Sequence, residues 1–148
     1  MDQSTINLVQ SSFQKVLPIA DLAMAIFYDK LFEINPSLKP LFPANQEQMG
    51  KQRNKLRDML ATAVSLLNNL PMLAPVLQNL GQRHAGYGVT SGHYNDVGAA
   101  LLATLEAGLG DDFTPEIRQA WTEVYGLISS TMIDAAETVS VGERTHAH

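Results

Sequence analysis

Apolar residues recur at steps of three and four along most of the chain, and no stretch alternates with the period of two that marks a strand. Ile6, Val9, Phe13 and Val16 or Leu17 form a first stripe, with Ser4 and Thr5 as candidate caps. Pro18 opens a second helical segment, "IADLAMAIFYDKLFEI", which is apolar on most sides and so predicts a helix buried among others. Pro36, Pro40 and Pro43 then interrupt the chain, so "NPSLKPLFPAN" reads as turns and irregular structure. A long helix follows from about Gln48 to Asn68, with Leu56, Met59, Leu60, Ala63, Val64 and Leu67 inward. Pro71 starts the next helix, whose stripe is Leu73, Leu77, Leu80 and then His84. That histidine points the way the leucines point.

In the second half, Ser91 can cap a helix carrying Val97, Leu101, Leu102 and Leu105. "GLGDDFTPEI" ends it, and Thr114, Pro115 and Glu116 start another by combining a cap, a fixed first φ and an acid at the positive helix end. The last stripe is Ile117, Trp121, Val124, Ile128 and Met132. These elements predict an all-α fold. One domain is expected over residues 1–138, and "VSVGERTHAH", without a stripe, predicts a disordered tail over 139–148.

Composition narrows the chemistry. At 148 residues the chain can bury a continuous core without staples and leaves no room for a second catalytic domain. A net charge of −5 argues against a nucleic-acid surface. The basic run "KQRNKLR" spreads Lys51, Arg53, Lys55 and Arg57 around a helix and reads as a solvated face. With no cysteine, neither a disulfide, a thiolate metal site nor a covalent CxxCH haem attachment can form. The beginning, "MDQSTINLVQ", has no signal-peptide pattern, and no apolar run reaches the ~20 residues of a membrane span. A cytoplasmic location without membrane insertion is the expectation.

Four histidines remain as candidate ligands. His146 and His148 form an HxH pair in the tail with no third ligand fixed nearby, and His93 follows Gly92 at a helix start, where exposure is expected. His84 alone holds a core position. A lone histidine on such a stripe is ordinarily a neutral core residue with one hydrogen bond. Its company widens the choice. No glycine-framed nucleophile supports a Ser, His, Asp triad, and one histidine cannot complete a structural zinc site. A haem iron needs one proximal imidazole and a large apolar slot, which an all-helical chain can build.

Five stretches carry a family resemblance: "FYDKLFEINPSLKPLF", "KQRNKL", "NLPMLAPVLQNLGQRH", "HYNDVGAALLATLEAGLG" and "AWTEVYG". In this order and at these separations, from about Ile6 to Met132, the chain resembles the globins, most of all single-domain bacterial haemoglobins similar to the haem domain of flavohaemoglobins. The resemblance implies a globin fold around noncovalent haem b. It makes His84 the proximal iron ligand and Phe42 the aromatic that stacks on the haem, with Pro36 the turn proline before it. It aligns Tyr28 with a distal tyrosine aimed at the bound gas, and Gln52 and Leu56 with the two iron-facing residues of the distal helix. Leu60 would extend the apolar wall. Leu80, Val89, Val97 and Leu101 would be haem contacts from the other side, where core packing explains them equally well, and Arg83 would pair with a haem propionate. Tyr94 matches a tyrosine near the proximal histidine.

The activity implied is reversible binding of dioxygen and other diatomic gases, in oxygen storage, delivery or gas handling. Two departures qualify it. Flavohaemoglobins add a glutamate that strengthens the proximal imidazole as a donor. Here that position is Ala136, with Glu137 one residue on and so turned by about 100°. No flavin and nicotinamide domains follow either, so nitric oxide dioxygenation would need a separate flavin reductase. The rival readings are such a dioxygenase or a weak peroxidase, a gas sensor or interaction module, and a haem-free helical domain.

Overall fold

The computed structural model describes residues 2–86 and 89–146, with side-chain surroundings for 2–84 and 89–137. Six α-helices follow in order: α1 Gln3–Val16, α2 Ala20–Ile34, α3 Gln46–Ser65, α4 Leu70–Gly86, α5 Ser91–Leu109 and α6 Pro115–His146. Short 3-10 segments at Leu17–Ile19, Pro36–Leu41, Leu66–Asn68 and Gly110–Asp112 link several of them, and the described residues contain no strand. The all-α expectation holds.

The helix ends refine the sequence reading. The cap of α1 is Asp2, whose carboxylate accepts from the Thr5 N–H at 2.9 Å, rather than Ser4 or Thr5, which lie inside the first turn. Asn45 caps α3, so that helix begins two residues before Gln48. For α5 the cap is Thr90, and Ser91 is the first helical residue. Thr114 caps α6 as expected, its hydroxyl accepting from the Ile117 N–H at 3.3 Å. At the end of α5, Gly110 takes a φ of +56°, which favours glycine because it lacks a Cβ. The α6 backbone continues as helix to His146, beyond the last apolar position of its stripe. The side chains of the expected tail, His146 and His148 among them, lie outside the described residues.

The principal helix contacts are α4 with α6, α2 with α5 and α1 with α6. Val9, Ala100 and Val124 are fully buried where these pairs meet, with Leu31, Leu67, Leu73 and Trp121 around them. Trp121 donates to the Ser12 hydroxyl at 2.8 Å, and its ring packs tilted on Phe13 at 6.1 Å between centroids. Gly81 marks the tightest approach. A Cβ built there would lie 2.3 Å from the Met132 carbonyl oxygen, so only glycine lets the α4 and α6 backbones come this close. In the basic run of α3, Lys51 and Lys55 are exposed, while Arg57 reaches the Asp21 carboxylate of α2 at 2.8 Å. No described helix is long and apolar enough to cross a membrane.

Candidate functional site

Five helices surround an apolar cavity that is open in part to solvent. Phe27 contributes from α2, and Leu56, Met59, Leu60, Ala63 and Val64 from α3. Leu77, Leu80 and His84 face it from α4, and His93, Tyr94, Val97 and Leu101 from α5, with Val89 just before. Trp121, Val124, Tyr125, Ile128 and Met132 close it from α6. The helical stripes converge here because each helix turns its apolar face inward.

Most polar functions on this wall are already satisfied. The Trp121 indole is held by Ser12, and the Tyr125 hydroxyl donates to the Tyr94 carbonyl at 2.6 Å. Burial, and then the proximity of Tyr94, push the Tyr125 phenol well above its ordinary range. The Tyr94 hydroxyl is not satisfied: it is buried and, among the described residues, has no hydrogen-bond partner. Burial raises its pKa as well.

His84 sits in the last turn of α4 with its Nδ1 2.8 Å from the Leu80 carbonyl oxygen. A carbonyl only accepts, so Nδ1 carries the proton and the lone pair lies on Nε2. Desolvation lowers the pKa of this ring, and the Leu80 carbonyl opposes that with a smaller upward pull. A neutral imidazole with a free Nε2 on an apolar cavity wall is a ready metal ligand. Among the described residues no three His, Cys, Asp or Glu side chains converge on one point. The donor set therefore suits an iron already held by four nitrogens of its own, as in haem, better than a bare ion. The apolar lining and an imidazole whose Nδ1 proton is already held by a carbonyl fit that group.

Tyr94 stacks on His84, with centroids 6.4 Å apart and planes at 29°. Glu137 is exposed and makes no hydrogen bond to the imidazole, while Ala136 is half-buried. The carboxylate therefore lies off this face, as the turn of one helical residue requires.

On the other side, Tyr28 is buried in an aromatic cluster. Its ring meets Phe27 edge-on at 5.1 Å, Phe42 edge-on at 5.3 Å and Phe32 at 6.0 Å. Burial raises the Tyr28 pKa, and the nearby Gln52 amide, followed by the Arg53 charge, partly offsets that rise. The hydroxyl of Tyr28 and the amide of Gln52 are thus brought together between α2 and α3. Phe42 closes the 3-10 segment that Pro36 begins after the Asn35 cap.

Of the residues singled out in the sequence, Leu56, Leu60, Leu80, His84, Val89, Tyr94, Val97 and Leu101 line the cavity together. Tyr28, Gln52 and Phe42 form the adjoining cluster, linked to the cavity through Phe27, and Arg83 is exposed and off the wall. His93 departs from expectation: it is half-buried and lines the cavity, because its ring folds back to accept the Thr90 N–H. Phe27, Met59 and the α6 residues were not singled out as site residues. Their stripe positions showed only that they face inward, which core and cavity residues share.

The globin family model matches residues 25–132. The chain is 30% identical over 133 residues to the Flavohemoprotein of Bacillus subtilis, a match that takes in 90% of this chain and 33% of that protein. It spans about a third of that relative's length. Among solved structures, a bacterial globin from Campylobacter jejuni superposes with a TM-score of 0.82 at 24% identity, covering 94% of this chain and 99% of that one. A hexacoordinated heme protein from an anhydrobiotic tardigrade gives the same TM-score at 16% identity, covering 93% and 96%. Both share the helical fold described above. The chain belongs to the globin family and has its haem-binding fold.

Proposed function

We propose that this globin binds haem b noncovalently through Nε2 of His84 and holds dioxygen or another diatomic gas reversibly, with Tyr28 and Gln52 as hydrogen-bond donors on the gas side. The observation that carries the reading is the His84 ring itself, whose Nδ1 proton is fixed on the Leu80 carbonyl, leaving the Nε2 lone pair free on the wall of an apolar cavity. Bound there, haem would supply a ferrous iron for a diatomic gas, which would then offer a partly negative hydrogen-bond acceptor. The chain's own residues do the rest. Leu56, Leu60, Val97 and Leu101 exclude water from the slot. Phe42 and Phe27 hold the Tyr28 ring from two sides, so its hydroxyl stays on the α3 side beside Gln52. A raised phenol pKa keeps that proton in place as a donor.

A hydrogen bond to a charged acceptor contributes about 1.5–3 kcal/mol. Its loss speeds gas release by roughly ten- to a hundred-fold. Tyr28→Phe in the haem-loaded protein tests this through the oxygen dissociation rate. An unchanged rate would overturn the distal role.

The similarity to a Flavohemoprotein supports a second reading, nitric oxide dioxygenation with electrons from a separate flavin reductase. The proximal side favours gas holding over peroxidase chemistry, since His84 leans on a neutral carbonyl and Glu137 faces away.

A further inference from the structure

We propose that His93 is a second haem-binding residue, which donates a hydrogen bond from Nε2 to a haem carboxylate. The proposal rests on the haem reading above. His93 lies in the first turn of α5, half-buried, with its ring on the cavity wall. The backbone N–H of Thr90 donates to His93 Nδ1 at 3.1 Å, as one arm of a reciprocal cap that starts the helix.

That bond fixes the tautomer. A neutral imidazole has one N–H and one lone pair. The lone pair at Nδ1 is taken by Thr90, so the proton sits on Nε2. His84 is the mirror case, with its proton on Nδ1 held by Leu80. The two histidines of the cavity therefore offer opposite functions, one a lone pair and the other an N–H. His93 has no free lone pair with which to compete for iron.

The acceptor follows from the chemistry of haem. All four ring nitrogens are occupied by iron, so the two carboxylates are the only strong hydrogen-bond acceptors the molecule offers. A hydrogen bond from His93 Nε2 to haem would therefore end on one of them. The first-turn position adds to this, because the positive end of the α5 dipole also favours an anion there.

The test compares haem with its dimethyl ester, in which the carboxylates are masked, in the full-length protein. The ferric protein is mixed with excess haem-scavenging apoprotein, and the transfer rate is followed by absorbance. His93→Leu is expected to release haem about tenfold faster than the unaltered chain, as loss of a hydrogen bond to a charged group implies. The ester is expected to leave both proteins at the same rate. His93→Gln, which can still accept from Thr90 and donate from its amide, is expected to hold haem nearly as well as His93. Equal haem release from the unaltered and Leu proteins would overturn the proposal. So would equal acceleration for haem and ester, which would make His93 a helix cap only. If the unaltered chain takes up neither porphyrin, the haem reading itself fails, and the assignment of His93 with it.

Discussion

The rings of His84 and Tyr94 lie nearly parallel at 6.4 Å, yet the Tyr94 hydroxyl, buried beside the imidazole, has no hydrogen-bond partner. Stacking helps fix where the phenol sits, and no described group meets its oxygen. A buried polar group in that state gives back none of its cost of desolvation, about 1–3 kcal/mol.

Tyr94→Phe keeps the ring and removes only the orphaned oxygen. The apoprotein is expected to be as stable as the parent or more so, by up to about 1 kcal/mol, in equilibrium denaturant unfolding. A loss of more than ~1 kcal/mol would show that the hydroxyl has a partner after all.

Gly81 and Gly126 make a matched pair. The built Cβ at Gly81 meets backbone atoms of Met132 at 2.3 to 2.8 Å, whereas Gly126 has nothing within 4 Å. Gly81→Ala is therefore expected to destabilise by about 1–3 kcal/mol or more through forced separation of α4 and α6. Gly126→Ala, at an exposed position of α6, is expected to stabilise by roughly 0.5–1 kcal/mol. Because Gly81 adjoins Leu80, whose carbonyl holds His84, its alanine variant should also loosen haem retention. Thermal unfolding and haem transfer rates of the two variants read both effects.

How much of this was legible in the sequence depends on the kind of signal. His84 stood out because a titratable ring on a leucine stripe breaks the stripe's chemistry, and the structure keeps it on the cavity wall. The family pattern led to Tyr28 and Gln52, and the structure brings them together between α2 and α3. The place of His93 is not legible in the sequence, because it depends on one backbone N–H three residues earlier, which spacing does not reveal. Gly81 left no trace either. A glycine inside a helical stripe looks like a weak point until the backbone of Met132 is found against it.

Alkaline stability gives a further check. Tyr28, Tyr94 and Tyr125 all have pKa values raised by burial above the ordinary value of 10.0. The folded apoprotein therefore keeps protons that the unfolded chain gives up. Below pH 10 the phenols are protonated in both states and contribute no pH dependence. As pH rises through 10 the unfolded chain ionises first, and unfolding becomes progressively easier until the folded phenols ionise too. Denaturant midpoints measured across that range are expected to fall. Flat midpoints would contradict the burial of these phenols.

The central claim is that Nε2 of His84 holds haem iron. Absorption spectra of the haem-reconstituted chain, first ferric and then reduced under carbon monoxide, test it most directly when paired with His84→Ala. The unaltered chain is expected to give the intense near-ultraviolet haem band, and a carbon monoxide spectrum of the kind an imidazole-ligated iron produces. His84→Ala is expected to lose the imidazole-ligated spectrum or fail to retain haem. A native spectrum that survives His84→Ala unchanged, or an unaltered chain that takes up no haem, would contradict it.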